Sequence, residues 1–398
     1  MITHGADRYH SLDALRASMM LLGLVLHSAV SYIREPIPQA WPYKDPNTST
    51  VFDLLVFFIH LFRMPVFFVV AGFFGAMLMQ RDGARGFLVN RLRRVLLPLV
   101  IFWPLVAPLT IAAFAYANAR VSGQPGMTAI PDAVFRDANL GHLWFLWYLL
   151  IFYALVTAVS KRGSWGQISF FHQRKRSDPT FRRVATSLWG ASLMGIITAL
   201  TLLPMTVPGL DTAATLLPPV RILVAYGVFF GFGWLLYRHR DLLDALGAGW
   251  RRPLAIGAAI SLVYVVLLAG RLIADPRLLH WTGCLLAGLA TWMLIYGIIG
   301  LFGDQLSRPR PLLRYLSDAS YWMYLVHLPL TVAIPGLLAP WNAPAPIKFA
   351  ITLAVVTAVT VSSYHYLVRS TAIGALLNGR RSPSARGAGA AAREMAST

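Results

Sequence analysis

The apolar stretch LDALRASMMLLGLVLHSAVSY, which begins at Leu12, contains two residues that could take part in chemistry, Arg16 and His27. Eleven residues make about three helical turns, so both side chains would share one helix face, about 16 Å apart. A neutral imidazole is a suitable general base for taking a proton from a hydroxyl. In the structural alternative, Arg16 reaches the membrane surface and His27 bonds a neighbouring helix.

A second basic group, Arg91 and Arg94, stands one turn apart in FLVNRLRRVLLP, just before another apolar run. Guanidinium groups bind phosphate through two parallel hydrogen bonds, so this spacing suits an anionic ligand. The alternative is an ordinary cluster of cations that fixes the cytoplasmic side of a membrane helix. Spacing alone favours that alternative.

His60 and Arg63 interrupt the apolar run FFIHLFRMP, and His327 does the same in YLVHLP. Ionisable residues are costly inside a membrane and usually face a cavity. We therefore predict that His60 and Arg63 line a cavity. For His327, whose depth is comparable with that of His27, orienting a substrate and bonding another helix are equally good interpretations. Glu35 is better explained as a solvated loop residue than as an orienting partner for His27.

The segment HLWFLWYLL opens with His142 and contains Trp144 and Trp147. Such a cluster is usually an aromatic belt at the membrane interface. The functional alternative is a platform that stacks against sugar rings beside His27. No His–carboxylate cluster stands at metal-ligand spacing, so no metal site is predicted.

The composition predicts the framework that must position these residues. Of 398 residues, 57% are hydrophobic and 13% charged, and the mean hydropathy is +0.60, whereas soluble proteins have about 25% charged residues. The formal charge of +19 comes from short clusters between apolar runs, which argues against nucleic-acid binding. The sequence thus predicts an all-α integral membrane protein.

Apolar runs of about 20 residues, the length that spans a bilayer, indicate a bundle of about ten transmembrane helices. They begin near Ser11, Val51, Val95, His142, Val184, Pro218, Pro253, Trp281, Tyr315 and Ile347. Alternating basic and cation-poor connections place both termini in the cytoplasm. We predict a membrane domain over residues 1–370 and a disordered basic cytoplasmic tail over 371–398. No interface motif indicates an oligomeric state.

Four segments resemble the membrane-bound acyltransferase-3 family in the same order along the chain. The first is the Arg16–His27 helix, and the second is MPVFFVVAGFF (Met64–Phe74), with Ala71 where a serine is usual. The third is the Arg91–Arg94 segment, and the fourth is SDASYWMYLVHLPL (Ser317–Leu330). The segment HLWFLWYLL further resembles the branch that contains the periplasmic glucan succinyltransferases.

This resemblance implies an O-acyltransferase of the cell inner membrane. Its donor would be succinyl- or acetyl-coenzyme A, with the phosphates near Arg91 and Arg94, and its acceptor a hydroxyl of an extracytoplasmic glycan. His27 would be the general base, and Arg16 would stabilise donor charge or keep the donor path open. The expected partners are these substrates and membrane lipids. The alternative is a transporter or scaffold that exports a glycan or anionic lipid without chemistry.

Overall fold

The computed structural model describes residues 9–37, 40–123, 139–161, 178–270 and 272–379. Within these ranges the chain forms helices joined by turns and short loops, and no strand occurs. The helices are α1 His10–Val30, α2 Thr50–Arg91, α3 Leu97–Ser122, α4 Trp144–Lys161, α5 Pro179–Ala185, α6 Leu188–Leu202, α7 Val220–Arg238, α8 Leu242–Gly249, α9 Arg251–Ala269, α10 Pro276–Gln305, α11 Pro311–Leu338, α12 Ala345–Ser363 and α13 Ala372–Asn378.

The predicted all-α membrane fold is confirmed at the level of the helices. Eight helical segments in the described ranges are long and apolar enough to cross a membrane, and the pair α5–α6, bent by 61°, supplies a ninth if it forms one span. Each of the ten predicted apolar runs forms a helix or a bent pair. The number of crossings and the cytoplasmic location of the termini stay predictions.

The continuous helical stretch from Thr50 to Ser122 contains α2, a π-helical turn at Leu92–Leu96 and α3. At Gly83 the backbone leaves helical geometry, with φ 67° and ψ 177°, a conformation that glycine adopts at little cost. The far end of α3 lies beside the loop after α1, since Asn118 Nδ2 donates to the Pro42 carbonyl over 2.7 Å. The stretch therefore returns to the side where it began.

Helices α1, α2, α4 and α11 surround the candidate site. Helix α1 packs against α2 and α11, and α2 packs also against α4 and α7. Helix α3 closes the group by packing against α11, while α6, α8 and α9 pack around α10 on the other half of the molecule. The residues that could do chemistry on α1, α2, α4 and α11 are thus brought into one region.

The loop after α1 is fixed by a fully buried ion pair. Lys348 Nζ, on α12, lies 2.9 Å and 3.2 Å from the two carboxylate oxygens of Asp45, and both side chains are fully buried. Tyr43 donates its hydroxyl to the same carboxylate. Burial and the Asp45 charge raise the pKa of Tyr43 above its usual value, so this phenol stays protonated. The pair ties the loop to the bundle.

One prediction needs correction at the C-terminus. Disorder was predicted from residue 371 onward, but Ala372–Asn378 forms the helix α13. Its Leu377 is 5% exposed, and Asn378 Nδ2 donates to the Tyr364 hydroxyl over 3.0 Å. The small-residue composition gave no sign of this helix, which packs against α11 and against the π-helical turn at Tyr364–Val368 that follows α12. The rest of the predicted tail, residues 380–398, lies outside the described residues.

Candidate active site

Three arginines from three places in the chain line one cavity of about 200 Å³, called here the arginine cavity. They are Arg16 on α1, Arg91 at the end of α2 and Arg94 in the π-helical turn. Arg16 Nη2 donates to Ser317 Oγ over 3.3 Å and lies 3.6 Å from a carboxylate oxygen of Asp13. With Asp318 as the cavity's acidic residue, the arginine cavity carries excess positive charge. It suits an anionic ligand.

The guanidinium of Arg91 lies between two aromatic rings. Its Cζ is 5.0 Å from the ring centroid of Tyr153 and 5.5 Å from that of Phe87. Such contacts hold a guanidinium in place without neutralising it. Arg94 is fixed differently, because its backbone carbonyl accepts a hydrogen bond from the Tyr321 hydroxyl over 2.9 Å. π-Helical turns often occur at functional sites, and this one directs Arg94 towards the cavity.

Three histidine rings meet in a second, smaller cavity of about 30 Å³, called here the histidine cavity. His27 and His327 are 5.0 Å apart between ring centroids, His142 and His327 also 5.0 Å, and His27 and His142 6.3 Å. They come from α1, from the turn before α4 and from α11. The structure therefore brings together three of the histidines that the sequence singled out.

The carbonyl of Tyr324 fixes two of these rings. His142 Nε2 and His327 Nδ1 both donate to it, over 2.9 Å and 2.8 Å. A carbonyl can only accept, so each of these nitrogens carries a hydrogen. In the neutral tautomer this leaves a lone pair on His327 Nε2. That atom is buried and has no hydrogen-bond partner among the described residues, and the same holds for His27 Nδ1.

The turn that positions His142 depends on its neighbours in the sequence. Gly141 has φ 53°, in the left-handed region that favours glycine, and its N–H is held by Asn139 Oδ1 over 2.8 Å. The His142 carbonyl accepts the Tyr324 hydroxyl over 2.7 Å. His142 is consequently tied at its ring and its backbone. Of the described residues, no His, Cys, Asp and Glu group could hold a metal ion.

Arg63 lines the histidine cavity from α2. A Cβ added to Gly23 would stand 2.6 Å from Arg63 Nη1, so the missing side chain at position 23 leaves room for the guanidinium. Arg63 Nε is buried without a hydrogen-bond partner in the described part of the chain. Gly23 lies one turn of α1 before His27. The Arg63 guanidinium beside Gly23 is therefore on the side of His27 that faces Arg16.

The third cavity, of about 440 Å³, is called here the tryptophan cavity after Trp41, Trp103 and Trp144. His27, His142, His60 and Arg63 also line it. The Trp41 ring is 5.8 Å from that of His27, and its Nε1 donates to Ser31 Oγ over 3.1 Å. This cavity presents aromatic surface and a few polar groups, a lining suited to a sugar.

The three cavities are neighbours because they share side chains. Met20, Phe67 and Phe145 line both the arginine and histidine cavities. His27, Arg63, Met64, His142 and Trp144 line both the histidine and tryptophan cavities. A path of cavities thus leads from three arginines, past His27, to an aromatic chamber.

Several sequence candidates lie elsewhere. Trp147, predicted as possible cavity lining, lines none of these three cavities, and its Nε1 donates to the Leu216 carbonyl over 2.8 Å. Glu35 is exposed and also lines none of them. Two further residues that were not predicted to take part in the site also lie outside the three cavities: His365, which contacts the Tyr315 hydroxyl at 3.3 Å, and Cys284, which is buried.

Other lining residues were not found from the sequence. Ser317, Tyr321 and Asn378 line the arginine cavity, Trp41 the tryptophan cavity and Tyr324 the histidine cavity. In the SDASYWMYLVHLPL segment, His327 is the one residue that the sequence analysis assigns to the site. Its helical periodicity, with Ser317, Ser320, Tyr324 and His327 three or four residues apart, was a usable signal for one functional face.

Fold and site together define a multi-pass membrane protein with an imidazole between a cavity lined by three arginines and an aromatic one. The family model Acyl_transf_3, described as an acyltransferase domain, matches residues 9–365. The chain belongs to this acyltransferase family, as its sequence motifs predicted, and is a membrane acyltransferase.

Curated relatives agree with the predicted branch. The chain is 26% identical over 382 residues to "Glucans biosynthesis protein C" of Salmonella paratyphi B, covering 94% of this chain and 96% of the relative. The same figures hold for the proteins of that name from Salmonella agona and Salmonella enteritidis. No solved structure matches the chain significantly.

Proposed function

We propose that this protein transfers a succinyl or acetyl group from cytoplasmic acyl-coenzyme A to a hydroxyl of an extracytoplasmic glycan. His27 takes the hydroxyl proton while the hydroxyl oxygen bonds to the thioester carbonyl carbon. The carbonyl electrons move onto its oxygen, and they return as the carbon–sulfur bond breaks. The departing thiolate recovers a proton from the imidazolium. The products are the glycan ester and free coenzyme A.

The observation that carries this proposal is the shared lining of the three cavities around His27. A transferase that joins substrates from two sides of a membrane needs one base accessible to both. The imidazole of His27 meets that need, because it lines the histidine and tryptophan cavities, and the histidine cavity adjoins the arginine cavity.

The arginine cavity supports coenzyme A as the donor. Three guanidinium groups around one cavity match the several phosphates of this cofactor-like substrate. A thioester arm that entered between Met20, Phe67 and Phe145 would reach the histidine cavity, which adjoins that apolar passage. Arg16, Arg91 and Arg94 are assigned to donor binding on this basis.

The acceptor side is supported by the tryptophan cavity and by the relatives' name. Tryptophan faces stack well against sugar rings, and Trp41 lies directly beside His27. The relatives are named for glucan biosynthesis, so a glucan in the periplasm is the acceptor we propose. The corresponding location is the inner membrane, with the arginine cavity facing the cytoplasm.

Mass spectrometry of periplasmic and surface glycans tests the proposal. A deletion strain would be complemented with the wild type, with His27→Ala and, as a matched control, with His365→Ala. We expect a succinyl or acetyl mass increment with the wild type and the control, and none with His27→Ala. Identical glycans in all strains would contradict the proposal and favour a transporter or scaffold.

A further inference from the structure

The charge of Arg63 has no acidic counterpart at its site. Among the described residues that line the histidine and tryptophan cavities, there is no Asp or Glu. Arginine stays charged in proteins. Arg63 is half-buried, its Nε is buried without a partner among the described residues, and its Nη2 reaches only the Met64 sulfur over 3.4 Å. A cation in such a position is unfavourable unless water or a bound anion compensates it. Arg63 is therefore placed to meet negative charge that a substrate brings or that the reaction creates.

Three polar atoms without hydrogen-bond partners converge on this cavity. Six buried side-chain atoms in the described chain lack a partner, and three of them, Arg63 Nε, His27 Nδ1 and His327 Nε2, belong to residues that line the histidine cavity. Buried polar groups are nearly always satisfied, so such a concentration indicates a place that a ligand atom occupies. The ligand must offer an acceptor to the Arg63 N–H group.

Gly23 determines where the guanidinium lies. Because a Cβ at position 23 would stand 2.6 Å from Arg63 Nη1, the guanidinium lies directly against the backbone of α1. This position is one turn before His27, on the side from which a thioester would arrive. The carbonyl oxygen of that thioester, next to a hydroxyl held by His27, is the atom that gains charge.

We infer that Arg63 is a catalytic residue that stabilises the oxyanion formed on the thioester carbonyl. This inference rests on the proposed acyl transfer. When the hydroxyl oxygen bonds to the carbonyl carbon, the carbonyl electron pair moves to oxygen, and the Arg63 guanidinium donates to that oxygen. When the carbon–sulfur bond breaks, the pair returns and the charge leaves with the sulfur. Arg63 gains and loses no proton.

Steady-state kinetics of purified Arg63→Gln in nanodiscs, with acetyl- and succinyl-coenzyme A, tests this inference. Loss of one oxyanion donor typically lowers kcat about 100- to 1,000-fold. We expect a loss of this size with both donors, an unchanged donor KM, and wild-type binding of an unreactive thioether analogue. Arg34→Gln is the matched control, because Arg34 is exposed and lines none of the three cavities.

Gly23→Ala provides a second variant that retains the charge. Its new methyl group would displace the flexible end of Arg63, while alanine favours the helix more than glycine does. We expect about a tenfold to 100-fold lower kcat, since small displacements of a catalytic group have effects of that size.

The outcomes separate the inference from the proposed function. Wild-type kcat in Arg63→Gln would overturn the inference alone. A loss confined to succinyl-coenzyme A, with a raised KM, would also overturn it, because Arg63 would then bind the acyl carboxylate. Absence of ester formation by the wild type with both donors would contradict the proposed function itself.

Discussion

His27 and His327 are far apart in the sequence, and their ring centroids lie 5.0 Å apart. His327 is held by the carbonyls of Met323 and Tyr324, over 3.1 Å and 2.8 Å. Because its Nδ1 donates to these carbonyls, the ring has one fixed orientation beside His27. No carboxylate lines the histidine cavity in the described chain. His327 therefore contacts the His27 ring without a hydrogen bond, since His27 Nδ1 and His327 Nε2 both lack a partner among the described residues.

His327→Phe should lower kcat about 10- to 100-fold while leaving both KM values nearly unchanged. Phenylalanine keeps the ring volume but removes the nitrogen atoms, so His27 loses its polar neighbour and its orientation relaxes. Kinetics beside His27→Ala and His365→Phe would measure this. A loss as complete as that of His27→Ala would contradict a positioning role and assign His327 to proton transfer.

Arg91→Ala and Arg94→Ala should each raise the KM for the acyl donor about 10- to 100-fold, because each removes a charge-assisted hydrogen bond to phosphate. The acceptor KM should not change. Arg85→Ala is the control, since Arg85 is on the same helix, exposed and outside the arginine cavity. If the donor KM of all three variants equals that of the wild type, Arg91 and Arg94 do not bind the donor and only determine membrane topology.

Trp144→Phe should raise the acceptor KM about two- to tenfold, since the smaller ring loses stacking area in the tryptophan cavity. Trp147→Phe should leave it unchanged, because Trp147 lies outside all three cavities. Initial rates with increasing concentrations of purified glycan distinguish the two. An equal effect of both substitutions would indicate general repacking of α4 instead of contact with a sugar.

Lys348→Met should lower the free energy of unfolding by about 3 to 5 kcal/mol, because the fully buried Asp45 carboxyl group would lose its ion-pair partner. Arg81→Met should cost less than about 1 kcal/mol, although Arg81 and Asp82 are also only 2.7 Å apart, since that pair is exposed. Unfolding in detergent would measure both. Adding Asp45→Asn to Lys348→Met should restore much of the loss, and the absence of recovery would contradict this explanation.

The helices could be predicted because a bilayer requires about 20 apolar residues per crossing. Even the bent pair α5–α6 begins near the predicted Val184. The helix α13 was missed because it depends on tertiary contacts of Leu377 and Asn378 rather than on a long apolar run. Local composition alone contains no information about those contacts.

The candidate site was predictable residue by residue but not in its arrangement. His27, Arg63 and His327 could be identified because ionisable residues are costly inside apolar runs. The resemblance of four segments to the acyltransferase family identified Arg16, Arg91 and Arg94. The arrangement of three histidines depends on the packing of α1 and α11 and on the turn at Gly141. Trp41 was missed because its loop is fixed by the Asp45–Lys348 pair, which joins distant parts of the chain.

Met20, Phe67 and Phe145, the apolar side chains that line both the arginine and the histidine cavities, have a consequence for the energised membrane. An aqueous pathway with openings on both sides would dissipate the proton gradient. Hydrated ions and water chains are unstable between closely spaced apolar side chains, and such constrictions prevent conduction by dewetting. The arm of the proposed thioester donor is uncharged, so it could pass between these side chains where a hydrated proton could not. Acyl transfer by the proposed route would therefore leave the electrical insulation of the membrane intact.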